Sequence, residues 1–306
     1  MLYYNTEKKL SYIRTLDKNK DRAIYVLQSV AKVESQYKKD LSQFTKSEIE
    51  LWLNQSCGNK SQAVRSVAAI IKKYLKWCQD NGETIHTDPK GEFTIDTSAR
   101  LQERMFSSPR HLQRIMDKAF HPLGENTVDC VYRAYLWMIY AAVPETETVN
   151  ILVSEVDLSN LVIEHNGCSY MIYREALPVF RQLVQQNEMR IRQGKNLLPR
   201  ADSQYLLRTV KAAHPTAISI RNLAIKKLDA ANVKTGYKSI RWSGIFYQIY
   251  EDERAGCDDG FEVWGTRLTL EIDGIDKKDE QAFILAKRRI KSLQKRDYNM
   301  WKKAFE

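Results

Sequence analysis

The sequence predicts a mainly α chain of two domains, the second an α+β domain with one small antiparallel sheet. Three observations predict it. Apolar residues recur at three- and four-residue steps in segment after segment, the period of helices that bury one face. One pair of β-rich runs, Leu161 to His165 and Cys168 to Tyr173, meets at Asn166-Gly167, the strongest short hairpin signal. Residues 83–104, with Pro89 and Gly91, hold no sustained period. The domains are therefore set at 1–86 and 105–306, with 87–104 as a linker.

In chain order, the first helical stretch runs from Asp21 to Lys39. Thr45 then precedes Glu48 by three residues, a capping box, and Ile49, Leu51, Trp52 and Leu53 supply the apolar face that follows. The clearest helix of this half spans Ser61 to Gln79. Val64, Val67, Ala68, Ile71, Leu75 and Cys78 share its core face, and Arg65, Lys72 and Lys76 share the opposite one, with Lys73 beside them. Asn81-Gly82 caps its C-terminus. The second half opens with helices at 108–120 and 127–143; the latter is apolar nearly all round and reads as a buried central helix. Strands follow at 156–158 and 161–173, and helices return at 174–193, 216–231, 238–253 and 279–304.

Composition bounds what such a chain does. The 306 residues, 43% hydrophobic and 28% charged, suit two soluble globular domains. No apolar run is long enough for a membrane span, and the first residues carry no apolar stretch of a secretory signal, so a cytoplasmic protein is expected. Five cysteines and five histidines stand scattered, without metal-ligand spacing, which predicts reduced thiols and neither metal nor cofactor. Lys and Arg number 48 against 38 Asp and Glu, a formal +10 that favours polyanionic partners. The charge is concentrated. Residues 1–86 hold 15 basic against 9 acidic side chains, and Leu285 to Glu306 hold 8 against 2.

The order of these pieces resembles the tyrosine recombinases, the phage integrase family. Lys39-Asp40-Leu41 through Phe44-Thr45, the helix at 48–53 and the run Ile70 to Cys78 look like their helical core-binding (SAM-like) domain, which in that family clamps one face of double-stranded DNA. Trp137 to Asp157 looks like the stretch carrying the first active-site box, and Ser203 to Leu207 followed by Ile240-Arg241 like the approach to the second. The resemblance implies a fold of that core-binding domain plus a recombinase-like α+β domain, acting on DNA in integration or recombination.

Such enzymes cut with a tyrosine nucleophile while two arginines hold the scissile phosphate and a lysine and histidines manage protons. Here the active-site pattern is degenerate. The first arginine position holds Pro144, although Glu147 three residues on fits; no lysine lies between Leu158 and Tyr173. The second box keeps Arg241 but has Lys238 where the family has histidine. Gly265-Thr266 matches the later Gly-His pair, and the position about nine residues beyond, where the tyrosine belongs, is Ile275. Tyr298 is the late tyrosine.

Each candidate has two readings. Arg241 grips phosphate or braces the fold by a salt bridge. Tyr298 is a displaced nucleophile, or it packs with Trp301 and Phe305 in an aromatic stripe at helical spacing. Lys238 contacts phosphate more readily than it replaces a histidine, since its pKa near 10 needs a large shift for proton transfer. Arg65, Lys72, Lys73 and Lys76, with Lys287, Arg288 and Arg289 of the tail, are the expected phosphate contacts. His165 and Cys168 flank the hairpin turn as structural residues. The functional expectation is a mobile-element or prophage DNA-binding protein lacking strand cleavage; the alternative is an active site-specific recombinase with a rearranged site. In the family the C-terminal helix docks on a neighbouring protomer, which makes a homo-oligomer through the aromatic stripe the other expected partner.

Overall fold

A computed structural model describes residues 3–56, 61–94, 96, 98–125, 127–190, 196–272 and 279–306. Two compact units emerge, Met1–Ala99 and Arg100–Glu306. The class is the expected one: mostly helix, with a three-stranded antiparallel sheet in the second unit.

In the first unit α1 (Thr6–Arg14), α2 (Lys20–Tyr37), α3 (Lys46–Ser56) and α4 (Ser61–Asp80) enclose one core. The face read from the period of α4 is the buried one: Val64, Ala68, Ile71, Leu75 and Cys78 are inside, and Val67 is half-buried. Thr45 and Glu48 close the capping box, the Thr45 amide donating to Glu48 Oε2 at 2.8 Å. Leu51 departs from the expectation, being 48% exposed while Ile49 and Leu53 are buried. Two residues along a helix rotate the side chain by about 200°, which turns Leu51 away from its neighbours' face. Gly82, at φ 78°, reverses the chain after α4, and the Glu83 amide donates to the Cys78 carbonyl at 3.0 Å.

Polar groups are buried in this core as one network. Lys9, fully buried, reaches Glu34 Oε1 at 2.7 Å and Asp40 Oδ2 at 3.1 Å, and its ammonium lies 4.1 Å from the centre of the Tyr74 ring. The Tyr74 hydroxyl donates to Asp40 at 2.9 Å, and Lys8 adds a second cation at 3.1 Å. Burial pushes the Glu34 carboxyl up, despite Lys9. At Asp40 the desolvation is outweighed by Lys9, the Ser42 amide and Lys8, which hold the carboxyl down at about 2.

The stretch 87–104 is less of a bare linker than its composition suggests. Phe93 packs on the first core, and the buried Thr87 hydroxyl donates to the Phe44 carbonyl at 2.7 Å. Ser98–Arg104 form a short helix, α5, whose Leu101 is buried one turn before Met105.

The second unit is built on α7 (Asp129–Tyr140), every residue of which is buried, as its all-round apolar sequence requires. Around it stand α6 (Pro109–Ala119), α8 (Leu177–Gln185), α9 (Ala217–Ala230) and α10 (Tyr237–Arg254). Then come α11 (Gly260–Leu270) and α12 (Glu280–Phe305). Strands β1 (Val156–Asp157), β2 (Val162–His165) and β3 (Cys168–Met171) form the sheet. His165 pairs with Cys168 across Asn166 and Gly167, both at positive φ (49° and 71°), the type I′ geometry that Asn-Gly favours. The helix expected through residue 193 stops at Gln185. The Arg200 guanidinium takes the carbonyls of Leu183 and Gln186 at 2.7 and 3.0 Å, and the chain continues as β4 (Glu188–Met189), paired with β5 (Leu198–Pro199).

α10 crosses the end of α7 at Gly244, where a Cβ would stand 1.6 Å from the Tyr140 carbonyl oxygen. Only glycine fits. Gly244→Ala is expected to destabilise the chain by about 3 kcal/mol or more. Gly236→Ala, whose added carbon meets nothing within 4 Å, is its control in urea unfolding. In the first unit the depressed Asp40 pKa contributes stability that is present above the unfolded value of about 4 and lost as pH falls toward about 2. Glu34, raised, works in the opposite sense. Unfolding free energies at pH 7 and pH 3 should therefore differ less in Asp40→Asn than in the wild type.

Candidate nucleic-acid interface

The residues matching the two active-site boxes meet at the C-terminal end of α7. That helix ends in a Schellman-type turn: the Val143 amide donates to the Met138 carbonyl at 2.9 Å, and Ala142 sits at φ 68°. Ala142 thus holds, as a non-glycine residue, the left-handed conformation that glycine adopts most readily. Pro144 follows, then a 3₁₀ turn at Glu145–Glu147. Glu147, the residue that fits the family pattern, faces the hairpin, receiving His165 Nε2 and Asn166 Nδ2 at 3.1 Å each. His165 is buried and its other nitrogen meets the Glu155 carboxylate at 3.0 Å, so it braces the hairpin turn.

Arg241 projects from the first turns of α10 onto this corner. Its Nη2 donates to the Ala142 carbonyl at 3.1 Å and to both oxygens of Glu271 at 2.6 Å. The pair is partly buried, with the two side chains 19% and 24% exposed. Arg241 is thus salt-bridged, and a carboxylate already holds the donors that a phosphate would use.

α11 was not read from the sequence, because Gly260 and Gly265 interrupt the helical pattern there. It contributes two residues that the sequence reading missed. Glu271 follows its last turn, and Arg267 lies one turn before Glu271 on the same face. The Arg267 guanidinium sits 4.2 Å from the centre of the Tyr170 ring and 5.1 Å from that of Trp264, while its Nη2 is buried without a partner. Burial raises the Tyr170 phenol and Arg267 works against it. A largely apolar cleft of about 440 Å³ opens between Cys168 and Ser169 of the hairpin and Val263, Thr266, Arg267 and Leu270 of α11. Ile275, at the family's tyrosine spacing, lies outside the described residues.

Tyr298 is 1% exposed, inside the cluster of Phe246, Phe261, Trp264 and Trp301. Its hydroxyl donates to Glu253 Oε2 at 2.6 Å, and Lys302 meets the same oxygen at 3.0 Å. Desolvation first and Glu253 second push the phenol well above its ordinary pKa. A nucleophile needs access and a stabilised phenolate; Tyr298 has neither. The aromatic stripe therefore packs within its own unit, and Tyr298 and Trp301 offer nothing to a neighbouring protomer. Trp301 Nε1 donates to the Phe106 carbonyl at 3.1 Å in the same layer.

The remaining basic candidates divide by partner. Arg65 and Lys73 on α4, Lys238 on α10, and Arg288 and Arg289 on α12 are exposed and meet no carboxylate within 4.0 Å among the described residues. Lys76 pairs with Asp80 at 3.5 Å, both exposed, and Lys72 lies half-buried, 5.5 Å from the Phe93 ring centre. Lys287 and Lys291 both bind Glu262, holding that carboxyl down at about 2. No helix of the described residues is long and apolar enough to cross a membrane. Among them no group of three or more His, Cys, Asp or Glu gathers as a metal would require. Cys57 lies outside the described residues.

The sequence matches a family model described as the N-terminal core-binding domain of MrpR over residues 3–80. No curated protein matches the sequence. Among solved structures, the XerA recombinase is similar at 11% identity and a TM-score of 0.37, covering 97% of this chain and 98% of that one. A lambda integrase (75–356) dimer bound to a COC′ core site is similar at 10% identity and a TM-score of 0.33, covering 81% and 85%. The Tn1549 transposon integrase (82–397) in complex with circular intermediate DNA is similar at 12% identity and a TM-score of 0.33, covering 90% of each chain.

Tyr298→Phe leaves the ring stack intact and removes the bond to the Glu253 carboxylate. A loss of about 1.5–3 kcal/mol in unfolding free energy is expected, the scale of a hydrogen bond to a charged group. A stability equal to wild type would mean that Glu253 is equally served by Lys302 alone.

Proposed function

We propose that the protein binds double-stranded DNA through the first unit and the basic tail helix, on the plan of a tyrosine recombinase, and does not cut it. The single observation that carries this reading is the match of residues 3–80 to a core-binding domain, because the same segment contains α4 with its predominantly basic outer face. Arg65, Lys72, Lys73 and Lys76 lie along that face at helical spacing, so one helix can follow a run of phosphates. Arg288 and Arg289 of α12 add a second exposed basic set in the other unit, and Lys238 a further cation at the start of α10.

Catalysis is left out of the proposal on chemical grounds. A phosphotyrosine intermediate requires an attacking phenol, donors on the phosphate and a proton source for the leaving oxygen. Tyr298 is enclosed and bonded to a carboxylate, Pro144 carries no donor, and Arg241 is engaged by Glu271. Loss of even one preorganised donor costs about 2.7–4 kcal/mol of transition-state stabilisation. A mobile-element or prophage protein that occupies recombination sites without recombining them fits this chemistry.

Charge reversal of Lys72, Lys73 and Lys76 is expected to weaken duplex binding and flatten its dependence on salt, since each lost phosphate contact removes about 0.9 from the log–log slope. Unchanged affinity and slope would make α4 a merely solvated face. A nicked suicide duplex is expected to yield no covalent protein–DNA adduct on denaturing gels. An adduct with wild type that disappears in Tyr298→Phe would restore the recombinase reading.

A further inference from the structure

The outer face of α12 carries more than phosphate contacts. From Gln281 to Arg296 the helix holds no acidic residue, and its solvent side over 284–293 interleaves two kinds of side chain. Arg288 and Arg289 are exposed and meet no carboxylate within 4.0 Å among the described residues. Leu285 is 65% exposed, Leu293 43% and Ile284 40%. At helical spacing Leu285, Arg289 and Leu293 make one row, and Ile284 and Arg288 begin the next. A single exposed leucine is ordinary; three apolar side chains on one face within about three turns form a patch. Phosphate gains nothing from it, because backbone contacts on DNA are polar. The inner side of the same helix shows what satisfies its cations. There α11 supplies Glu262, one oxygen on Lys287 and the other on Lys291.

We propose that this face docks an acidic amphipathic segment of another protein, whose carboxylates meet Arg288 and Arg289 and whose apolar side chains cover Ile284, Leu285 and Leu293. Charge and pattern together select this occupant. A lipid surface takes an apolar stripe with cations at its margins; here Arg289 stands inside the leucine row, so insertion would carry a guanidinium into the acyl region. A second copy related by a two-fold axis would bring two basic patches together. A duplex leaves the leucines in water. A helix with acids beside its own apolar positions answers both parts of the row, in the manner of an amphipathic helix laid on a complementary face. Arg288 and Arg289 are also the tail contacts of the DNA reading, so the segment displaces DNA there. That competition rests on the function proposed above; the docking face does not.

The test uses the full chain and a labelled synthetic helix of about five turns, leucine along one face and glutamate beside it, followed by fluorescence anisotropy. A peptide of the same composition in scrambled order controls for charge, and the amphipathic one is expected to bind about tenfold more tightly. Leu285→Ser with Leu293→Ser is expected to weaken the amphipathic peptide about tenfold, the scale of two half-exposed leucines, and to leave duplex affinity unchanged. Arg288→Gln with Arg289→Gln is expected to weaken it as well and to flatten its dependence on salt. Should the double leucine variant lose its circular dichroism spectrum, Leu285→Ser alone, at the more exposed position, carries the same expectation in direction. Equal affinity for the two peptides, or binding indifferent to the leucines, overturns the proposal. So does a dimer in sedimentation, or adhesion to vesicles of phosphatidylcholine and phosphatidylserine, or duplex binding, that the leucine substitutions abolish, since the patch then has that occupant. The expected peptide series from a chain that ignores duplex DNA upholds the face and sinks the DNA reading. A chain that binds duplex and does not distinguish the peptides does the reverse.

Discussion

The second unit depends on α7 being buried on every side. A helix enclosed in this way leaves no solvent-facing stripe, so each neighbour must come to it, and α10 comes closest at Gly244 over the Tyr140 carbonyl. The constraint has a cost: Trp137 Nε1 and Tyr140 Oη are buried without partners, each about 1–3 kcal/mol unfavourable. It also has a consequence at the helix end. Because the axis is fixed, so is the turn that follows, and Ala142 is held in the left-handed region at φ 68°. That conformation aims its carbonyl at Arg241. The position of the arginine is thus a product of core packing rather than of any local preference in α10.

Electrostatics divides the basic residues into those that are committed and those that are free. Lys9, Arg133, Arg200, Arg241 and Lys287 have partners within the fold, from the buried Glu34 and Asp40 to the backbone carbonyls that Arg200 collects. A desolvated cation cannot go unpaired, and these residues show how the fold meets that requirement. The exposed ones, Arg65, Lys73, Lys238, Arg288 and Arg289, meet no carboxylate of the described residues and keep their full field for an outside anion. Pairing removes one base and one acid together and leaves the net +10 unchanged; only a cation such as Arg200, held by backbone carbonyls, is withdrawn from that excess.

What was legible in the sequence follows from the range of the forces involved. The core face of α4, the capping box at Thr45, the buried α7 and the hairpin at Asn166-Gly167 are all set by neighbours within a turn or two. α11 was not legible, since its two glycines lower its helical signal while a packed partner sustains it: a Cβ at Gly265 would collide with Lys291 Cγ at 2.5 Å, so close contact with α12 selects glycine there. With α11 went Arg267 and Glu271. The partner of Arg241 lies 30 residues along the chain and no periodicity connects them. Tyr298 was legible as one of an aromatic stripe at helical spacing, but not as a buried donor to Glu253, 45 residues away. The end of α8 was hidden for the same reason, its last carbonyls being taken by Arg200 from beyond the next strand.

Arg241 brings these strands together. An arginine at a partly buried helix start requires an acceptor, whether or not any substrate ever arrives. A working phosphate site meets that requirement transiently, with water or ligand; a fold that has ceased to handle phosphate can meet it permanently, with a carboxylate. Glu271 does the second, holding Nη2 of Arg241 through both oxygens at 2.6 Å. Arg267, one turn before it, is met differently: the Tyr170 and Trp264 rings lie 4.2 and 5.1 Å from its guanidinium, and its charge and hydrogen bond oppose the rise that burial gives the Tyr170 phenol. Aromatic faces and a phenol serve the second guanidinium, which leaves the carboxylate to the first.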